Sequence, residues 1–174
     1  DLEYNKVIRN YHGHLSGVFA LALHPSLNLL ATGGRDSTVR LWDMRSKTQV
    51  HCLAGHRDIV ESIIAQSDEP QLISSSHDKM IRLWDIRTGG CINTLTNHKK
   101  GVRALVNHHT EYTFASAGAD KIRIWKCPEG DHIRALDDHA AVLNSLALNA
   151  DNVLVSGADN GTLHFHDWTS GFNF

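Results

Sequence analysis

The sequence contains little of what marks several classes of protein. Cysteine and proline each occur only three times in 174 residues. Cys52, Cys91 and Cys127 lie far apart and form no CxxC pair, which disfavours a disulfide framework or a zinc module and is typical of a reducing compartment. The longest apolar run, residues 18–23, is too short to cross a bilayer. The formal net charge is only −2, so no overall basic field predicts nucleic-acid binding.

Signatures of catalysis and of metal binding are missing as well. The sequence has no G-x-x-x-x-G-K phosphate-binding loop and no nucleophile elbow of the G-x-S-x-G type. Its 13 histidines show no spacing that supplies three or four convergent zinc ligands. We therefore expect no metal site, no cofactor and no catalytic residue.

What the sequence does contain is a repeat with a period of 42 residues. In the first two copies, a Gly-His pair is followed by an aspartate 22 residues after the histidine and by Trp-Asp beginning 28 residues after it. A third copy keeps the histidine-to-aspartate spacing, and a fourth begins 41 residues later with asparagine in place of the aspartate. The markers are His14, Asp36 and Trp42; His56, Asp78 and Trp84; His98, Asp120 and Trp125; and His139 and Asn160. Four copies in register indicate a repeat architecture.

Short runs rich in β-branched and aliphatic residues lie between these markers, separated by turn-forming residues. The first copy contains VFALAL, LLATGG, TVRLWD and TQVHCL, and the second contains VESIIA, LISSSH, MIRLWD and CINTLT. Four short antiparallel strands in each repeat predict an all-β fold and are typical of a β-propeller blade. With its Gly-His and Trp-Asp pairs at this period, the chain resembles the WD40 family throughout its length.

The resemblance implies a structural role for a polar set that recurs in each copy. In this set the indole N–H group donates to a hydroxyl group, the hydroxyl group contacts the imidazole, and the imidazole contacts the carboxylate of a tight turn. The sets are His14, Thr32, Asp36 and Trp42; His56, Ser74, Asp78 and Trp84; His98, Ser116, Asp120 and Trp125; and His139, Ser156 and Asn160. The same residue types form catalytic triads, but a catalytic site occurs once, whereas this set recurs with a tryptophan attached. We therefore interpret the sets as part of the fold.

The repeat also predicts the domain organisation, a partial WD40 β-propeller over residues 1–174. The repeats run approximately over 13–54, 55–96, 97–137 and 138–174, with 5–10 as an outer strand of a preceding blade. The resemblance implies a seven-bladed ring, for which four repeats are too few. We expect an open arc of such a ring, completed by residues of a longer chain; the alternative is that two copies pair through the exposed ends. The fourth copy departs most from the pattern, so we expect it to be less rigid than the first two.

Both ends of the blades carry candidate binding residues. Because each histidine must meet its turn carboxylate, the Gly-His loops and the tight turns lie at one end. That end carries Arg35, Arg57, His77, Lys99 and Lys100. Their basic balance fits an acidic peptide or a phosphate backbone, and the alternative is that they are ordinary solvated loop charges. At the opposite end, Arg45 and Arg87 complete two Trp-Asp-x-Arg sequences, which resemble the motif by which some WD40 proteins dock on the adaptor of a cullin-RING ubiquitin ligase.

Longer phrases narrow the resemblance to one group. DLEYNKVIRNYHGHLSGV at the start, LTNHKKGVRAL over 95–105, YTFASAGAD from Tyr112 and VLVSGADNGTLHFHDWTSG from Val153 are similar to the pleiotropic-regulator group of WD40 splicing factors. This implies a non-enzymatic scaffold of the spliceosome-associated NineTeen complex, located in the nucleus, contacting other splicing proteins and lying near small nuclear RNA. The competing prediction is a substrate receptor that docks on the ubiquitin-ligase adaptor through Arg45 and Arg87. Neither prediction involves a membrane.

Overall fold

The fold is built from β-strands. A computed structural model describes residues 3–136 and 141–174, and within these two ranges it contains strands, turns and loops but no helix. It follows that this part of the chain holds no helix long and apolar enough to cross a membrane.

The strands are short and follow one another along the chain. Their bounds are β1 (Val18–Leu23), β2 (Leu29–Gly34), β3 (Thr38–Asp43), β4 (Gln49–Ala54), β5 (Val60–Ala65), β6 (Leu72–Ser76), β7 (Ile81–Asp85), β8 (Gly90–Leu95), β9 (Val102–Asn107), β10 (Thr113–Gly118), β11 (Ile122–Lys126), β12 (Asp131–Leu136), β13 (Leu143–Leu148), β14 (Val153–Ala158) and β15 (Leu163–Asp167). Strands β1 to β8 coincide, to within one residue at either end, with the eight apolar runs of the first two copies, because these runs combine β-branched residues with flanking turn formers.

Neighbouring strands pair antiparallel and form four separate sheets, which we call blades 1 to 4. Blade 1 contains β1–β4, blade 2 contains β5–β8 and blade 3 contains β9–β12, and within the described ranges blade 4 contains the three strands β13–β15. Contacts between blades run from each blade to the next along the chain, and the described blades do not close into a ring. The predicted all-β propeller architecture, an open arc of about four repeats, is confirmed.

The outer strand predicted at 5–10 stays a prediction, because the preceding blade that it would join is not among the described residues. Residues 6–14 have no regular secondary structure, and the side chains of Val7 and Ile8 are exposed. A single strand gains its hydrogen bonds only from a neighbour, and no described strand lies beside this segment. The guanidinium group of Arg9 instead donates to the backbone carbonyl of Met44.

The hydrophobic core lies between the blades, in one cluster for each junction. We call the side of a blade that faces the next blade its front face and the other side its back face. At the first junction, the front face of blade 1 contributes Ala31, Val39, Leu41 and Leu53, and the back face of blade 2 contributes Val60, Ile63, Leu72, Trp84 and Ile86. Residues at equivalent repeat positions form the other two clusters. Each blade is therefore stabilised mainly by apolar burial against its neighbours.

The two end blades each leave one of these faces exposed. Val60, on the back face of blade 2, is completely buried, whereas Val18 at the equivalent position of blade 1 is 46% exposed. Ile122, on the front face of blade 3, is completely buried, whereas Leu163 at the equivalent position of blade 4 is 64% exposed. The arc therefore ends in two different apolar faces, one of each kind.

Candidate protein-binding surface

The polar set of blade 2 links three parts of the blade through one buried hydroxyl group. Trp84 on β7 donates its indole N–H to Ser74 Oγ on β6, at 2.8 Å. Ser74 Oγ also lies 2.8 Å from His56 Nε2. On the other side of the ring, His56 Nδ1 lies 2.9 Å from the carboxylate of Asp78 in the turn after β6. The hydroxyl group accepts from the indole and can donate only to Nε2, which leaves the Nδ1 hydrogen for the carboxylate.

The structure brings together the sets of blades 1 and 3 in the same way. In blade 1, His14, Thr32, Asp36 and Trp42 are joined by hydrogen bonds of 2.7 to 3.0 Å. In blade 3, His98, Ser116, Asp120 and Trp125 are joined at 2.7 to 2.8 Å. The tryptophan of blade 3 comes one residue early in the sequence, but its indole still reaches the hydroxyl group, so the shorter turn leaves the set intact.

The fourth set differs. His139 lies outside the described residues. Ser156 is fully buried on β14, as is His166 where the other blades have tryptophan. Asn160 keeps the turn closed, because its side-chain oxygen accepts from both the backbone N–H and the hydroxyl group of Thr162. The tight turn of blade 4 is thus held by an amide in place of a carboxylate.

The polar sets are buried, and their role is structural. Ser74 and Ser116 have no exposed surface, and each hydroxyl group is already engaged by an indole and an imidazole. A nucleophile must reach its substrate, whereas these hydroxyl groups hold strand to strand. Buried polar groups of this kind stabilise a fold when all of their hydrogen bonds are made.

The turn carboxylates are held in their ionised form. Burial alone raises the pKa of Asp36, but hydrogen bonds from Leu15, Thr38 and His14 outweigh it and lower the pKa to about 2. Asp78 shows the same balance, with a pKa also lowered to about 2. These aspartates therefore stay charged at any physiological pH, and they act as fixed acceptors.

A hydrogen bond from the backbone, which the sequence reasoning missed, holds each Gly-His loop against a tight turn. The residue after the histidine donates its backbone N–H to the same carboxylate, from Leu15 at 2.9 Å, Arg57 at 2.9 Å and Lys99 at 3.1 Å. Each Gly-His loop is thereby tied to the tight turn of its own blade. We call this end of the blades, with the Gly-His loops and the tight turns, the top end.

The predicted top-end residues are placed as a basic and mostly solvent-facing group. Arg35, Arg57, Lys99 and Lys100 are exposed. His77 is half-buried, and its Nδ1 lies 3.1 Å from the carboxylate of Glu61. The four exposed cations are therefore available to a partner, while the imidazole is engaged within its own blade.

A β-bulge at the start of each blade displays four further top-end residues that the sequence reasoning missed. The register of the first strand skips one residue in every blade. The skipped residues are Phe19, Glu61, Arg103 and Asn144. Bulges commonly redirect a side chain, and here Phe19 is 56% exposed while Arg103 donates to Asn144 of the next blade. The available signal was chemical variety at one repeat position that directly follows an apolar residue in every copy.

Arg45 and Arg87 occupy equivalent places at the opposite end. Each backbone N–H donates at 2.8 Å to the aspartate of the preceding Trp-Asp pair, Asp43 or Asp85. Both arginines are exposed. The two sequences therefore form the same turn on neighbouring blades.

Metal-ligating side chains do not converge in the part of the chain that the structure describes. No group of three or more His, Cys, Asp or Glu residues there is arranged to hold a metal ion. The stacked pair His108 and His109, for example, has its rings 4.7 Å apart, with His108 engaged in hydrogen bonds to its own loop.

Sequence comparisons find curated relatives that match part of this chain. Pleiotropic regulator 1 of Mus musculus is 59% identical over 63 residues, which are 36% of this chain and 12% of that protein. Pre-mRNA-splicing factor PRP46 of Yarrowia lipolytica is 52% identical over 50 residues, 29% of this chain and 11% of that protein. Each match thus spans only a small part of the relative's own length.

The fold and the repeat are recognised over most of the chain. The crystal structure of the computationally designed Ika4 protein matches with a TM-score of 0.80 and 28% identity, covering 92% of this chain and 97% of that one. The model of the WD domain, G-beta repeat, matches residues 5–43, 47–85, 89–126 and 130–167. Repeats at this period, with a polar set in each of the first three blades, give one conclusion: the chain belongs to the WD40 family.

Proposed function

We propose that this protein is a non-enzymatic scaffold in pre-mRNA splicing that binds other splicing proteins through the top end of its blades. The single observation that supports this best is the similarity to Pleiotropic regulator 1, 59% identical in the matched segment, and to PRP46 splicing factors. The NineTeen complex is the assembly we propose for it, and the nucleus is the corresponding location. Small nuclear RNA lies nearby in this proposal.

The proposed mechanism is recognition by a surface that is rigid before the partner arrives. The polar sets fix the Gly-His loops and tight turns in place, so binding does not have to order them. The exposed cations and the exposed ring of Phe19 then offer charge and apolar area at the same end of the blades. This combination suits an acidic peptide segment that carries an apolar residue. Opposite charges speed the association of the two proteins, and burial of the apolar residue stabilises the complex.

An affinity purification from nuclear extract tests the proposal. The bait is the tagged chain, compared with a top-end variant carrying Arg35→Glu, Arg57→Glu and Lys99→Glu. We expect splicing proteins to be recovered with the wild type and about tenfold less with the variant, because three repulsive charges replace three attractive ones. Wild-type bait that recovers no splicing protein, or a variant that recovers them equally, contradicts the proposal.

Arg45→Ala with Arg87→Ala is the matched control, and it tests the competing function too. The two arginines sit on equivalent turns at the opposite end, which is the observation that favours docking on a ubiquitin-ligase adaptor. We expect this variant to recover the same splicing proteins as the wild type. An adaptor recovered by the wild type and lost by the double variant would instead support the ligase receptor.

A further inference from the structure

A groove lies at the end of the blades opposite the top end, where the loops between the first two strands of successive blades meet. It is lined by Pro25 of blade 1, residues 65–68 of blade 2 and residues 107–112 of blade 3. We call it the loop groove. Its volume is about 620 Å³, which falls within the range of about 300 to 1,000 Å³ that is usual for ligand sites.

One wall of the loop groove is held rigidly by a buried histidine. His108 Nδ1 accepts the backbone N–H groups of Thr110 and Glu111, at 3.3 and 2.8 Å. Its Nε2 lies 2.9 Å from Asn152 Oδ1 in blade 4. The ring of His109 stacks on that of His108 with centroids 4.7 Å apart. The backbone of this wall and the exposed imidazole of His109 are therefore held in place before a ligand binds, and binding does not have to order them.

The loop groove is negatively charged. Asp68 and Glu111 line it, and no lysine or arginine does. Glu111 is oriented by the indole of Trp168, which donates to Oε2 at 3.2 Å. Across the described ranges, neither carboxylate takes part in an ion pair. Two carboxylate-bearing residues thus line the groove, with no lysine or arginine among its lining residues.

Tyr112 also lines the groove, and its pKa is raised. Burial raises its pKa first, and the nearby thiol of Cys127 and the carboxylates of Asp68, Glu69 and Glu129 add to the effect, bringing the pKa to about 12. The phenol is therefore neutral and can offer its ring face and its hydroxyl group to a ligand.

We propose that the loop groove binds a protein segment through an arginine side chain. The guanidinium group pairs with the carboxylates of Asp68 and Glu111, and its flat face lies against the rings of His109 and Tyr112. Arginine fits better than lysine because a planar guanidinium group can form two parallel hydrogen bonds to a carboxylate and can also stack on aromatic rings. A nucleic-acid strand fits worse, because its phosphates meet two uncompensated carboxylates.

This site is separate from the top-end surface. It lies at the other end of the blades and would take a basic segment, whereas the basic top end would take an acidic one. A scaffold with both sites holds two partners of opposite charge at once, and either site can fail experimentally without the other.

Fluorescence anisotropy on the purified chain at low salt tests the proposal. The probe is a fluorescein-labelled Gly-Arg-Gly-Arg-Gly-Arg peptide, and the matched peptide carries citrulline in place of arginine. We expect saturable binding of the arginine peptide only. Asp68→Asn and Glu111→Gln should each weaken it about two- to fivefold, and the double variant about tenfold, the size of partly exposed ion pairs. Glu111→Gln retains an oxygen that can accept from Trp168, so the loop keeps its shape.

Asp159→Asn is the control, since it removes the same charge from an exposed position at the top end. We expect it to leave the Kd of the arginine peptide unchanged. Binding of the citrulline peptide with equal affinity, no binding of either peptide, or equal weakening by all three charge variants overturns the proposal. So does a labelled oligouridine strand that binds more tightly than the arginine peptide and loses affinity with His109→Ala.

Discussion

Ser74 is sealed from solvent, yet its hydroxyl group is where two strands and a loop of blade 2 meet. It accepts from Trp84 and lies within hydrogen-bond distance of His56, which in turn contacts Asp78. At the residue scale, the stability of each blade therefore depends on a few polar groups whose removal leaves buried partners unpaired. A buried group without a partner costs more than the bond itself contributes.

Removal of the Ser74 hydroxyl group should lower the stability of the fold. Ser74→Ala leaves the indole N–H of Trp84 and Nε2 of His56 without their partner, so we expect the free energy of unfolding to fall by about 1 to 3 kcal/mol. Urea denaturation measures it. The adjacent Ser75 is the matched control, because it is equally buried but its Oγ makes no hydrogen bond. A loss for Ser75→Ala as large as that for Ser74→Ala would show that the hydroxyl network contributes nothing specific.

Acid should weaken the fold through the turn carboxylates. The folded pKa of Asp78 is lowered to about 2, whereas an unfolded aspartate has a pKa of about 3.9. Its contribution is therefore complete above about pH 4 and is lost as the pH falls from 4 towards 2. In Asp78→Asn the free energy of unfolding should fall less steeply over this window. Equal slopes for wild type and variant, measured by urea titration at several pH values, would refute this.

At the element scale, the strands were predictable and their irregularities were not. The apolar runs of the first two copies predicted β1 to β8 to within a residue at either end, because side-chain chemistry favours extended structure there, and the repeat extended this pattern to the later copies. The bulge that displays Phe19 depends on how the first strand meets the second, and only a comparison of the repeat copies, not the residues around Phe19, could have indicated it. The strand predicted at 5–10 stays a prediction, because pairing depends on a neighbouring strand and no described strand lies beside this segment.

The close approach of neighbouring blades requires a glycine in β2. A Cβ atom added at Gly33 would lie 2.5 Å from Val60 Cγ1 and 2.9 Å from Ile63 Cδ1. Val60 is buried and stiff, so we expect Gly33→Ala to lower the free energy of unfolding by about 1 to 3 kcal/mol. Gly17→Ala is the control, since its nearest contact would be 3.6 Å from Phe19. Calorimetry that finds both variants equally stable would rule out tight packing at this junction.

At the scale of the whole molecule, the arc is a series of blades joined by the same kind of apolar junction. The repeat was accessible from the sequence because its markers recur at a fixed spacing. The hydrogen-bonded sets of blades 1 to 3 were accessible through the resemblance to the WD40 family. The loop groove was not, because it is assembled from loops of three blades whose residues differ from copy to copy.

Blade 4 should be the more dynamic part of the arc. It has three strands instead of four, and its tight turn is held by Asn160 in place of an aspartate. Hydrogen exchange followed by mass spectrometry should show faster exchange in β14 than in β6, because fewer buried contacts surround it. Equal protection of the two strands would contradict this expectation.

The two faces of a blade differ, and each junction joins a front face to a back face. Such a unit can be added by tandem duplication of its coding segment without inventing any new contact, since a copied blade brings both halves of the junction it needs. Whole repeats can therefore be gained or lost one at a time, while an insertion of a few residues must go into a loop. Size and surface chemistry can in this way change independently over evolutionary time.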